Sequence, residues 1–169
     1  AAMDAFTLRK GAHTVIAQPC FPLYENWCRL HQVPYDTWPL DDNLEYDESK
    51  LPTLKEGSVV AFASPNNPTG NSLSSQRFAT LLETHPKVLW IADEAYFEYV
   101  QSEQYPNGID LQKDYENLIV TRTFSKAYGL AGLRIGYSVS NPEIADLMNR
   151  LRQPFNVNSL SLVLSLIHI

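Results

Sequence analysis

Lys126 is the side chain with the widest chemistry open to it. It lies in Thr123-Phe-Ser-Lys-Ala-Tyr-Gly-Leu-Ala-Gly-Leu-Arg-Ile-Gly-Tyr137, beside the hydroxyls of Thr123 and Ser125 and upstream of Arg134. An amine held in a Gly-rich crevice near another cation loses its proton more readily and becomes a nucleophile toward carbonyl carbon. Three other stretches carry chemistry-bearing residues. Asp93 closes an apolar run in Ile91-Ala-Asp-Glu-Ala-Tyr96, where an aspartate taken alone more often caps a helix. Asn67 lies in Ser64-Pro-Asn-Asn-Pro-Thr-Gly70, a plain Pro/Asn/Gly turn by composition. Phe21, in Pro19-Cys-Phe-Pro-Leu-Tyr24, taken alone is an ordinary core aromatic.

The elements that must position these residues follow from the apolar patterning. His13–Gln18, Ser58–Ala63, Val88–Ala92, Leu118–Val120 and Ile135–Val139 read as short buried strands. Between them lie helical patterns. Met3–Lys10 is a helix tail with Gly11 as its left-handed stop. Pro22 opens a helix to about Leu30 with Leu23, Trp27 and Leu30 on its inner face. Ser74 caps a helix burying Phe78, Leu81 and Leu82. Asn141-Pro142 starts another, with Ile144, Leu147, Met148 and Leu151 inward. Val33–Leu40 is extended, Asp41–Lys50 a surface loop with some helix near its end, and Tyr99–Glu116 irregular around a Pro106-Asn107-Gly108 turn. Strands alternating with helices predict an α/β fold, a mostly parallel sheet with helices on both faces. In such sheets chemistry collects where strand ends spill into Gly-rich turns.

The 169 residues, 44% of them hydrophobic, can bury one core. A net charge of -6 argues against nucleic acid or an anionic membrane surface as partner. No apolar stretch approaches the roughly 18 residues that span a bilayer. Cys20 and Cys28 lack a C-x-x-C spacing and suit reduced thiols in a cytoplasmic protein. The histidines form no metal-ligand spacing, so no metal is expected. The uncapped start at Ala1 and the end at Ile169 lead us to expect a piece of a longer chain, truncated at both ends.

Taken together and in this order, the stretches resemble fold-type I pyridoxal-phosphate (PLP) aminotransferases of class I/II, above all the histidinol-phosphate aminotransferase subfamily. The resemblance covers roughly residues 1–161, a partial PLP-binding large domain, and leaves 162–169 as an unmatched tail. It implies that Lys126 is the Schiff-base lysine. It implies that Asp93 partners the pyridine nitrogen and keeps it protonated. Tyr96 and Asn67 would bond the ring's phenolic oxygen, and Phe21 would stack on the ring. The subfamily usually carries tyrosine there, so Phe21 keeps the π-face and lacks the hydroxyl. Arg134, Ser125 and Thr123 resemble the phosphate-binding set, a planar fork with short hydroxyl donors. Local turn capping is the competing role for the two hydroxyls. Glu94 is expected to be structural, and Tyr24 to serve packing. The Asn67–Pro68 bond is expected cis. Arg152-Gln-Pro-Phe-Asn-Val-Asn-Ser159 resembles the segment that leads to a small domain, with Asn156 and Asn158 as turn residues.

By this resemblance the function is transfer of an amino group between L-histidinol phosphate and 2-oxoglutarate in histidine biosynthesis. Small-molecule donor and acceptor would be the partners, and a homodimer the assembly. The alternatives are a threonine-phosphate decarboxylase or another class I/II aminotransferase, and a non-catalytic PLP-binding sensor domain. The phosphate loop and the arginine that clamps a substrate carboxylate have no counterpart among these residues, and the piece alone is expected to be inactive.

Overall fold

Apolar β-branched runs too short for helices build the centre of the molecule. The computed structural model describes residues 2–7, 12–101, 105–151 and 156–167. Its strands are β1 (Thr14–Gln18), β2 (Tyr35–Pro39), β3 (Val59–Ala63), β4 (Leu89–Asp93), β5 (Leu118–Thr123) and β6 (Gly136–Val139). They form one sheet in the order β2-β1-β3-β4-β5-β6. Every neighbouring pair is parallel except β5 with β6, which is antiparallel. The helices are α1 (Ala2–Thr7), α2 (Leu23–Leu30), α3 (Ser75–Thr84), α4 (Gly108–Gln112), α5 (Pro142–Leu151) and α6 (Ser159–Ile167).

The strand pleat divides the core in two. Val15, Val60, Phe62, Trp90, Leu118 and Val120 face α3 residues Phe78, Leu81 and Leu82 on one side. Ile16, Val59, Ala61, Ile91 and Ile119 pack with Tyr24, Cys28 and Met148 of α2 and α5 on the other. Continuous apolar strands covered on both faces are what an internal parallel sheet requires. Ser74 caps α3 as expected, its hydroxyl accepting from the Arg77 amide.

Several expectations need correction. In α2 the inward face is Tyr24 and Cys28, while Leu23 and Leu30 are 59% and 78% exposed. The helix offers two apolar stripes, and the i, i+4 pair Tyr24–Cys28 is the one that meets the sheet. In α5, Met148 is buried but Leu151 points to solvent. The segment expected as a buried strand at Ile135–Val139 is an exposed antiparallel edge. Tyr99–Glu116 is not wholly irregular. Asn107 caps α4 by accepting from the Ile109 amide at 3.2 Å. The expected stop at Gly11 and residues 152–155 lie outside the described residues. Among the described residues no helix is long and apolar enough to cross a membrane, and no cluster suits a metal ion.

Candidate active site

The sheet reverses its winding between β1 and β3, since β1 leads outward to β2 and the chain then returns past β1 to β3. In open parallel sheets the crevice beyond the carboxyl ends at this point is where ligands bind. Phe21 follows β1, Asn67 follows β3, Asp93 ends β4 and Lys126 follows β5. Four adjacent parallel strands therefore deliver four of the singled-out residues to one rim. Phe21, Asn67, Asp93, Tyr96 and Lys126 line a single cleft, with Ala63 and Ala95 between them.

Asp93 is half-buried, with each carboxylate oxygen held. Its Oδ2 accepts from the Tyr24 hydroxyl, and its Oδ1 accepts from the Ala95 amide at 3.0 Å. Burial pushes its pKa up, while bonds from Tyr24, Ala95 and Thr121 and the charge of Lys126 pull it back. Thr121 is placed for this by the β4–β5 register, which pairs it with Asp93. Lys126 is exposed, and its Nζ lies 5.1 Å from the centroid of the Tyr96 ring, within cation–π range.

The turn that presents Asn67 is built tightly. Its bond to Pro68 is cis as expected, and Ser64–Pro65 and Gln18–Pro19 are cis as well. Gly70 takes φ +79°, which a residue with a side chain rarely adopts. Buried Asn66 donates to the Pro19 carbonyl at 2.9 Å and to Thr69 Oγ1 at 2.8 Å. It thereby ties the loop carrying Asn67 to the loop carrying Phe21. Asn67 and Tyr96 also border an adjoining hollow of about 430 Å³ walled by Tyr99 and Tyr105.

The remaining three residues do not line the Lys126 cleft. Thr123 Oγ1 accepts from the Ser125 amide at 3.1 Å and donates to the Ile135 carbonyl at 3.3 Å, the local turn capping that competed with a ligand role. Arg134 is exposed, takes a left-handed backbone at φ 54°, and donates to the Ala131 carbonyl at 3.0 Å. The turn between Ala131 and Arg134 is held from outside. Asn158 Nδ2 and Ser161 Oγ donate to the Leu133 carbonyl at 2.8 and 3.0 Å.

Glu94 is structural, as expected. Its carboxylate takes the Arg122 guanidinium at 2.7 and 2.9 Å and the Gly108 amide at 2.6 Å, with both side chains nearly inaccessible. Tyr24 packs in the core as expected, and its hydroxyl in addition reaches Asp93. Its position three residues after Phe21 is the only sequence signal that could have suggested this. Cys20 stands beside the same carboxylate, its thiol pushed up to about 12 by burial and by the charges of Glu25 and Asp93.

The model of the family "Aminotransferase class I and II" matches residues 1–167. A histidinol-phosphate aminotransferase 1 from Nitrosococcus oceani is 46% identical over 157 residues, covering 89% of this chain and 41% of that protein. The crystal structure of histidinol-phosphate aminotransferase from Sinorhizobium meliloti in complex with pyridoxal-5'-phosphate superposes with a TM-score of 0.77 at 32% identity, covering 88% of this chain and 41% of that one. The L-threonine-O-3-phosphate decarboxylase from Porphyromonas gingivalis gives the same TM-score at 28% identity, covering 95% and 47%. The chain spans less than half the length of the curated relatives it matches. Its α/β sheet, the cleft at the carboxyl ends of the strands and the match along nearly all its length make it a member of the class I and II aminotransferase family.

Proposed function

We propose that this chain forms the PLP-holding part of an aminotransferase that passes an amino group between L-histidinol phosphate and 2-oxoglutarate. The observation that carries the reading is the convergence of Lys126, Asp93, Asn67, Tyr96 and Phe21 on one cleft. The donor set fits the cofactor. It combines an amine for an aldehyde, a half-buried carboxylate for a ring cation, a phenol and an amide for a ring oxygen, and an aromatic face.

Bound PLP supplies the aldehyde and an electron-withdrawing ring that eases loss of a proton from the substrate carbon. The Lys126 amine takes that proton and returns it on the other side of the transfer. Asp93, whose negative charge burial makes costly, favours a positive charge placed against it. Tyr96 and Asn67 would donate to the ring oxygen, and Phe21 would pack on the ring face. Arg134, Ser125 and Thr123, on the turn beside the Lys126 cleft, would hold the phosphate. The bond that Arg134 makes to the Ala131 carbonyl is exposed, so the guanidinium could exchange it at little cost. Two free cysteines suit a cytoplasmic protein, and we take the working assembly to be a homodimer.

Lys126→Ala is the test. Made in the full-length protein, the variant should lose the cofactor's absorbance at the edge of the visible and all amino transfer. Undiminished turnover would refute the assignment. Scoring carbon dioxide release against amino transfer, with histidinol phosphate and threonine phosphate as substrates, separates the aminotransferase from the decarboxylase.

A further inference from the structure

The Asp93 carboxylate is pinned on both oxygens by donors from two different elements. Ala95 belongs to the turn leaving β4, and Tyr24 belongs to α2, which packs on one face of the sheet. A carboxylate held at one oxygen can swing about its χ2 torsion, whereas one held at both keeps its plane. Tyr24 is itself only 7% exposed, and its ring is set among the residues that seat α2 on the sheet. Among the described residues the phenol's hydrogen-bond partner is Asp93, and burial and that adjacent carboxylate push its own ionisation well up. It therefore remains a donor at every working pH. We propose that Tyr24 is a positioning residue, whose hydroxyl fixes the Asp93 carboxylate in the plane in which it meets a cation bound in the Lys126 cleft.

This rests on the PLP reading for the identity of the cation, but its first consequence does not. Asp93 is faced by Tyr24 from α2, Thr121 from β5, Lys126 from the following loop, the Ala95 amide from its own turn, and more distantly by Cys20 and Tyr46. Lys126 carries the positive charge in that set. Removing the Tyr24 hydroxyl withdraws a donor that favours the ionised carboxylate, so Asp93 should titrate at higher pH. The shift should be roughly one pH unit, a tenfold change in its dissociation constant.

The experiment uses wild type, Tyr24→Phe, Asp93→Asn and the double variant. Asp93 is titrated by carbon NMR of labelled carboxyl groups in the cofactor-free protein, and PLP affinity is measured by equilibrium dialysis. Tyr24→Phe should raise the Asp93 midpoint and weaken PLP by about tenfold. In the Asp93→Asn background the same change should move affinity less than about twofold, because the group through which it acts is gone. An unmoved midpoint, or an equal loss of affinity in both backgrounds, would overturn the proposal and leave Tyr24 as packing alone. Should Tyr24→Phe fail to fold, 3-fluorotyrosine at position 24 serves instead. This stronger donor should lower the midpoint, and no change would again overturn the proposal. If wild type binds no PLP, the functional reading fails while the titration still decides the role of Tyr24.

Discussion

Asp93 shows how the site trades stability for readiness. Its carboxyl has a higher pKa in the fold than when exposed, because burial outweighs its hydrogen bonds and the nearby amine. A group raised in this way gives its full stabilisation at low pH and loses it as pH climbs through the folded value. The cofactor-free protein should therefore weaken, relative to Asp93→Asn, as pH rises above about 4. Urea midpoints of both proteins across pH 3 to 8 check this, and parallel curves would contradict it. Glu94, raised mainly by burial as well, is common to both proteins and cancels in the difference. At this scale the sequence was most informative where chemistry and local order coincide. Lys126, Asp93, Asn67 and Tyr96 sit in stretches whose order pointed to them. Tyr24 did not show, because its contact spans 69 positions and nothing in the local pattern of α2 marks a hydrogen bond to β4.

Between β4 and β5 the chain runs through a one-turn helix at Phe97–Tyr99 and α4, and the buried Glu94–Arg122 pair fastens both to the sheet. Arg122 also lies 3.8 Å over the Phe97 ring and donates to Asn107 at 2.7 Å. Breaking one side of such a pair leaves an unpaired buried charge. Glu94→Gln should cost about 3 to 5 kcal/mol of unfolding free energy, measured by denaturant titration. A loss under about 1 kcal/mol would show that water reaches the pair and screens it. Gly108 is the close point of the same arrangement. A methyl there would come within 2.5 Å of Glu94 Oε1 and 2.9 Å of Val120 Cγ2. Gly108→Ala should therefore destabilise by about 1 to 3 kcal/mol, readable as a fall in thermal midpoint. In the sequence Pro106-Asn107-Gly108 is legible only as a turn, since the helix it starts is five residues long and too short for periodicity to register. The run at Ile135–Val139, expected buried, is the exposed edge strand β6. Its apolar character is real, but Tyr137 is 41% exposed on the sheet's outer edge.

Across the whole molecule, topology explains why residues so far apart in sequence meet. Parallel strands all end on the same side, so each β-to-loop junction contributes to one rim. That much was legible from the alternation of apolar runs with helical patterns. The strand order, and with it the reversal between β1 and β3, was not, because nothing in local hydrophobicity says which strands become neighbours. The same sheet leaves Arg134 and Thr123 on the turn that leads into the antiparallel β6, outside the cleft lined by Lys126. Phosphate binding by Arg134 then predicts a specific loss. Arg134→Ala should weaken PLP by at least tenfold while leaving affinity for pyridoxal, which lacks the phosphate, unchanged in direct binding measurements. Equal effects on both would remove Arg134 from the phosphate set.

The account stands on covalent capture of the PLP aldehyde by a single amine. Incubation with PLP, reduction with borohydride and peptide mass spectrometry read that bond directly. One modified position is expected, Lys126, competed away by an amino-group donor before reduction. Labelling spread over surface lysines such as Lys87 and Lys113, with Lys126 unmodified, would contradict it.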